Sequence, residues 1–150
     1  MNVVVVGGII EKEGKYLLVR ENEGCWKGTW NLPAGCLEED ESVVEGACRE
    51  VFEETGCVVK AVGLVDILNR IYDDMNILNF LFDMKLENEN IQFYGKEISG
   101  VGWFTYDEIV SMRDKLRADA FFVDSLKKKE KGEILPLDII TINRYFKKNS

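Results

Sequence analysis

Residues 35–56 constrain this chain of 150 residues more than any other stretch. Ser42 followed by Glu45 three residues later is the pattern of a capping box, which begins a helix. Gly56 supplies the left-handed conformation that commonly ends one. The segment therefore predicts one short helix over residues 43–55.

β-rich runs lie on both sides of this helix. Residues 3–10 and 15–20 are joined by a hairpin turn, and residues 57–69 and 76–87 are joined by a turn near residues 72–74. One side of the run 76–87 is the more apolar, and we expect it to face the core. That side bears Leu78, Phe80, Phe82 and Met84.

The last third of the chain continues the alternation of strands and helices. A strand is predicted over residues 98–104, and Thr105 with Glu108 repeats the capping-box pattern for a helix over residues 106–112. A further helix is predicted over residues 119–129. Residues 135–148 are compatible with either helix or strand. Loops are predicted at residues 21–27 and 87–96.

Length and composition exclude several classes of protein. A chain of 150 residues is the size of one domain, so we predict a single domain over residues 1–150. There is no histidine, which removes every mechanism that needs an imidazole. The formal charge of −8 argues against binding to DNA or RNA polymers, because such proteins carry an excess of Lys and Arg.

Targeting signals and cysteine spacing favour a cytoplasmic protein without a membrane segment. The apolar start, residues 3–10, is too short to span a membrane and lacks a basic region before it. The four cysteines form no C-x-x-C pair, so we expect reduced thiols that serve mainly in packing.

Acidic side chains are concentrated around the predicted helix. Residues 35–54 contain eight acids and one base, Arg49. Glu50, Glu53 and Glu54 occupy positions i, i+3 and i+4, so their carboxylates share one face and repel one another. One interpretation is a solvent-facing acidic helix held by Arg49. The other is a site for a hard divalent cation such as Mg²⁺ or Mn²⁺, with a phosphate ester as the natural substrate.

The same residues carry a resemblance to a known family. Gly35-x5-Glu41-x7-Arg49-Glu50-Val51-x-Glu53-Glu54-x-Gly56 is similar to the signature box of Nudix (MutT-type) hydrolases, with Cys57 in place of the final aliphatic residue. The run 30–35, Trp-Asn-Leu-Pro-Ala-Gly, also resembles the approach to that box. The resemblance implies an α/β fold, the Nudix α/β/α sandwich with a mixed β-sheet. It also implies metal-dependent hydrolysis of a nucleoside diphosphate linked to another group.

The resemblance further implies roles for individual residues. Its metal ligands, for Mg²⁺ or Mn²⁺, are Glu50, Glu53, Glu54 and the backbone carbonyl of Ala34. Arg49 is expected to orient these glutamates and Glu41 to brace Arg49. The general base is expected to be either Glu53 or a loop glutamate, Glu97.

The substrate is less constrained than the reaction. We expect Arg20, Lys27 and Gly35 to contact a small nucleotide. The run 30–35 together with Leu116, Arg117 and Ala118 resembles small Nudix phosphatases that act on nucleoside di- and triphosphates, oxidised ones included. ADP-ribose and dinucleoside polyphosphates remain alternative substrates, and a nucleotide sensor without activity remains an alternative function. A homodimer is compatible with the apolar first strand.

Overall fold

The computed structural model describes residues 1–93, 96–117 and 121–146. Within them the strands are β1 (Asn2–Lys12), β2 (Lys15–Glu21), β3 (Trp30–Asn31), β4 (Ala34–Cys36), β5 (Val58–Ile71), β6 (Asn76–Asn88), β7 (Ile98–Thr105) and β8 (Leu135–Pro136). The helices are α1 (Val43–Thr55), α2 (Tyr106–Ser111) and α3 (Phe122–Glu130), with short 3-10 turns at Gly24–Trp26, Arg113–Lys115 and Leu137–Ile139.

The strands form a mixed sheet in which the long first strand is central. Among the described residues the order is β3-β2-β1-β6-β5-β8, with β7 beside β2 and β4 beside β1. Strands β1 and β6 run parallel, and the other pairs run antiparallel. Strand β1 pairs with β4 at Val5, Val6 and Gly7, and with β2 only at Glu11 and Lys12. This change of partner brings the short strand β4 against the middle of the sheet.

Helices cover both faces of the sheet, which confirms the predicted α/β/α sandwich. Ala47 and Val51 of α1 are fully buried in one core, together with Val6, Ile10 and Phe82 of the sheet. The second core lies on the opposite face, where α2 and α3 pack on the sheet. Its buried members include Ile9, Leu18, Val65, Leu81, Ile109, Phe122 and Leu126.

The helix boundaries follow the predicted signals. The Ser42 hydroxyl accepts a hydrogen bond from the Glu45 N–H at 3.1 Å, and Gly56 ends α1 with a φ of 79°. Thr105 and Glu108 form the predicted capping box of α2. Helix α3 is described from Phe122 onward, and the predicted start at Asp119 lies outside the described residues.

Two predictions are refined by the structure. Phe82 and Met84 of β6 face the α1 core as predicted, but Asn79 and Leu81 on the other side of the strand are also buried, because that side faces the α3 layer. Residues 135–146 are neither one helix nor one long strand. They comprise β8, a 3-10 turn and an irregular segment, and residues 147–148 lie outside the described part.

Within the described residues, no helix is both long and apolar enough to cross a membrane. All four cysteines are free thiols. Cys57 is buried and Cys48 half-buried, in keeping with a packing role, whereas Cys25 and Cys36 are exposed.

The end of α1 generates a stability prediction. A Cβ at Gly56 would lie 2.2 Å from the Asn90 carbonyl oxygen and 2.7 Å from the Gln92 nitrogen. Gly14 has a similar φ, +76°, with no atom within 4 Å. We expect Gly14→Ala to lower the free energy of unfolding by about 1 kcal/mol through backbone strain alone. Gly56→Ala should lower it by about 3 kcal/mol, because steric overlap is added. Urea unfolding measures both, and equal losses would contradict the predicted overlap.

Candidate active site

A cavity of about 560 Å³ opens beside β4, between the box helix α1 and the α3 layer. This volume suits a small-molecule ligand of nucleotide size. Six carboxylates contribute to its lining, and we refer to them as the acidic wall. They are Glu21, Glu23, Glu38, Glu50, Glu54 and Glu97.

Arg49 is hydrogen-bonded to three carboxylates near this cavity and forms an ion pair with a fourth, Glu38, at 3.5 Å. Its Nε and Nη2 donate to the two oxygens of Glu41 at 2.9 and 2.7 Å, and its Nη1 donates to Glu50 at 2.7 Å and to Glu53 at 3.1 Å. Nη2 also donates to the Cys36 carbonyl at 3.1 Å, which ties α1 to β4. These bonds, led by the one to Glu41, raise the pKa of Arg49 further, and Arg49 in turn lowers the pKa of Glu41.

Gly35 allows β4 to approach the carboxyl group of Glu50. A Cβ at Gly35 would lie 2.3 Å from Cδ of Glu50 and 2.4 Å from each of its oxygens. Burial raises the pKa of Glu50 and the Arg49 hydrogen bond opposes that rise. Because Gly35 has no side chain, it leaves the space that the Glu50 carboxyl group occupies.

Glu54 is the most buried carboxylate of the acidic wall. It is 6% exposed, and its Oε1 accepts a hydrogen bond from the Ala34 N–H at 3.0 Å. Burial raises its pKa well above the usual value, and the charges of Glu50, Glu21 and Glu97 raise it further. A carboxylate in this position is costly to ionise unless a positive charge joins it.

The two candidate bases occupy different positions. Glu97 lines the cavity, and its carbonyl oxygen accepts a hydrogen bond from the Asn22 N–H at 2.8 Å, which anchors it beside the end of β2. The Glu53 side chain is 53% exposed, is paired with Arg49, and does not line the cavity. The structure thus brings Glu97, Glu50 and Glu54 together and leaves Glu53 at the rim.

In the described part of the chain, no three Cys, Asp or Glu side chains converge closely enough to form a ready-made metal site. The reason lies in their internal partners. Arg49 draws Glu50 and Glu53 toward itself, while Glu54 is turned toward the Ala34 N–H. A cation at this position requires the carboxylates to rotate away from these partners.

Arg20 and Lys27 are not brought to the cavity. Arg20 donates to the Ser99 hydroxyl at 3.0 Å and lies over the Trp30 ring, and Lys27 is exposed after the first 3-10 turn. Their predicted contact with substrate gains no support from this placement. Of the predicted substrate-binding residues, only Gly35 lines the cavity.

Arg70 and Arg117 line the cavity instead. Arg117 donates to Glu21 at 2.8 Å, and Arg70 donates to Asn79 at 3.2 Å. The sequence alone did not single out either arginine as a contact of the substrate. The sequence feature that could have indicated this part of the cavity is Asn79, a polar residue within the apolar run of β6. Asn79 is only 2% exposed in the structure.

Comparison with known proteins identifies the family. The profile of the NUDIX domain matches residues 1–124 of this chain. The chain belongs to the Nudix hydrolase family. The Nudix box is therefore the segment from Gly35 to Cys57 that contains Arg49 and the three glutamates.

Several Nudix relatives are similar over most of the chain. Phosphatase NudJ of Escherichia coli K12 is 34% identical over 139 residues, which cover 91% of this chain and 89% of NudJ. A NUDIX hydrolase from Nitrosomonas europaea has a TM-score of 0.87 at 29% identity, covering 95% of this chain and 98% of that one. An ADP-ribose pyrophosphatase from Streptococcus suis 89-1591 has a TM-score of 0.67 at 26% identity, covering 87% and 91%. The predicted family and fold are confirmed.

Glu54 generates a prediction about stability and pH. Because its pKa is raised on folding, protonated Glu54 favours the folded state at low pH, and this contribution is lost as the pH rises through the folded pKa. In EDTA at pH 8, Glu54→Gln should therefore raise the free energy of unfolding, because the amide has no charge to bury among the neighbouring carboxylates. The gain should shrink as the pH falls toward 5.

Urea unfolding at several pH values measures this difference directly. The control is Glu39→Gln in the loop before α1, because Glu39 is exposed and lies outside the acidic wall. We expect it to change stability by less than about 0.5 kcal/mol at every pH. A Glu54→Gln protein that is less stable than the parent at pH 8 would show that ionised Glu54 is well accommodated without a cation.

Proposed function

We propose that this Nudix hydrolase uses Mg²⁺ or Mn²⁺ to cleave nucleoside di- and triphosphates by attack of water on phosphorus. The observation that carries the proposal is a nucleotide-sized cavity with glutamates of the Nudix box on one wall. We also propose that residues 1–150 act as one catalytic domain.

The residues present fit a hard divalent cation. The acidic wall offers only oxygen donors, the type that Mg²⁺ and Mn²⁺ prefer. Glu54 is buried among like charges, and Gly35 leaves room at the Glu50 carboxyl. We propose that Glu50, Glu54 and the Ala34 carbonyl hold the cation, with Glu53 joining them from the rim. When bound, such a cation lowers the pKa of an attacking water and neutralises phosphate charge.

Arg49 acts in this proposal as a positioning residue. Its two hydrogen bonds to Glu41 fix the orientation of its guanidinium group. Its Nη1 holds Glu50 beside Gly35. Glu41 is fixed in turn by the Glu38 N–H, which donates to it at 2.8 Å. These bonds keep Glu50 beside Gly35 until its carboxylate exchanges Arg49 for the cation.

Glu97 is the proposed general base. It faces the same cavity as Glu50 and Glu54, and its backbone is anchored to the loop after β2. A carboxylate there accepts the proton of a water that attacks phosphorus. Glu53 remains the competing candidate, but its bond to Arg49 and its exposure place it outside the cavity.

The substrate class rests on similarity. The relative with the name phosphatase NudJ supports a small phosphorylated substrate, and the neighbour described as an ADP-ribose pyrophosphatase keeps ADP-ribose as the alternative. A sensor without activity would need no general base in the cavity. The presence of Glu97 there favours the enzyme.

The test is a panel of nucleoside di- and triphosphates, ADP-ribose and dinucleoside polyphosphates, each assayed with Mg²⁺, Mn²⁺ or EDTA. We expect release of phosphate or pyrophosphate only with a metal, and fastest from the nucleoside di- and triphosphates. Binding of nucleotide without any product over hours would instead support the sensor. Faster cleavage of ADP-ribose would replace the proposed substrate class by the alternative.

The choice of base is tested by paired substitutions. Glu97→Gln should lower kcat by about 10²- to 10⁴-fold and remove the acidic limb of the pH profile, because the proton acceptor is lost. Glu53→Gln should lower kcat by about tenfold and keep that limb, because it removes charge near the cation without removing the base.

Glu39→Gln serves again as the matched control and should leave turnover unchanged. Unfolding in urea checks that each variant is folded. The reverse ranking, with Glu53→Gln losing the acidic limb, would assign proton transfer to Glu53.

A further inference from the structure

The end of the cavity away from the acidic wall carries two polar residues on neighbouring strands. Arg70 lies on β5 and Asn79 on β6, and both line the cavity among apolar neighbours that include Ile77 and Phe121. We call Arg70 and Asn79 the distal pair. They are separate from the residues of the Nudix box.

Arg70 is held in place but is poorly satisfied. Its Nη2 donates to Asn79 Oδ1 at 3.2 Å, its Nη1 donates to the Tyr72 hydroxyl at 3.4 Å, and its guanidinium carbon lies 4.1 Å from the centre of the Phe121 ring. Nε of Arg70 is the one buried side-chain nitrogen or oxygen without a partner in the described ranges. A buried donor left unpaired in this way lowers stability.

The distal pair offers mainly donors. Arginine has five N–H donors and no acceptor. The carbonyl oxygen of the Asn79 amide accepts from Arg70 and keeps one lone pair, and the NH₂ group of the amide adds two donors. A ligand group that fits here must present acceptors, such as carbonyl oxygens and ring nitrogens.

The register of the sheet gives the separation from the metal-binding end. Ala34 lies opposite Gly7, and Gly7 lies opposite Leu81, so two strand spacings separate Ala34 from Leu81. Asn79 is two residues farther along β6. Strand spacing and rise together place the Cα atoms of Ala34 and Asn79 about 12 Å apart. This separation allows a nucleotide whose phosphates lie at the acidic wall to place its base at the distal pair.

We propose that the distal pair binds the carbonyl-bearing edge of a nucleobase, and that a 6-oxopurine fits it best. This inference rests on the proposed function and specifies its substrate. The adjacent O6 and N7 of a 6-oxopurine are both acceptors, which an arginine contacts with two hydrogen bonds. Adenine presents an amino group in place of O6, and that group opposes the donors of Arg70.

The test compares ITP with ATP, which differ at the purine C6 position. The wild-type protein with Mg²⁺ should show a kcat/KM for ITP about tenfold or more above that for ATP. Arg70→Met keeps the long apolar stem and removes every donor. This substitution should bring the ratio of kcat/KM for ITP to kcat/KM for ATP within about threefold of one, mainly by lowering kcat/KM for ITP.

Arg70→Lys separates base recognition from phosphate binding. Lysine keeps the charge but lacks the planar fork, so we expect it to lose the preference as well. If Arg70 instead held a phosphate, Arg70→Met would lower kcat/KM for ITP and ATP equally, and Arg70→Lys would largely retain both values. That result would overturn the proposal. Arg113→Met, at an exposed arginine outside the cavity, is the control and should keep the wild-type ratio.

Different results would refute the proposed function and the proposed base preference. No hydrolysis of either nucleotide with Mg²⁺ or Mn²⁺ would refute the proposed function. Hydrolysis of both by the wild-type protein at equal kcat/KM would leave that function standing and refute the distal pair as a reader of carbonyl groups.

Discussion

The contacts of Arg49 with the carboxylates of the Nudix box are the interaction on which the site depends. Like charges on one helix face repel, and a single guanidinium offsets that repulsion by bonding Glu41, Glu50 and Glu53. The same side chain bonds the Cys36 carbonyl and so fixes β4 against α1. Arg49 thereby supports both the local fold and the arrangement of the acidic wall.

Arg49 does not reach every carboxylate of that wall, and the imbalance links stability to function. Glu54 is buried, accepts one backbone hydrogen bond, and faces the charges of Glu50, Glu21 and Glu97, which explains its raised pKa. A cation that relieves this repulsion stabilises the folded state as it binds. The repulsion among these carboxylates lowers stability without metal, and its relief favours binding of the metal. Activity and metal-dependent stability are therefore expected to change together.

Local signals predicted much of the fold, and long-range contacts decided the rest. The Ser42 cap, the Gly56 stop and the box spacing depend on residues close in sequence, and the structure reproduces them. The burial of both sides of β6 and the proximity of Arg70 to the cavity depend on which strands and helices become neighbours, which alternation along one strand does not reveal. For the same reason the sequence predicted a substrate contact for Arg20 and did not single out Arg70. The cytoplasmic location and the homodimer stay predictions.

The central claim is that Glu50 and Glu54 leave their protein partners to bind a divalent cation. Anomalous diffraction from crystals soaked in Mn²⁺ measures this most directly. We expect a manganese peak in contact with oxygens of Glu50 and Glu54 and near the Ala34 carbonyl. A cavity without such a peak at saturating Mn²⁺, with Glu50 still bonded to Arg49 and Glu54 still bonded to the Ala34 N–H, would contradict it.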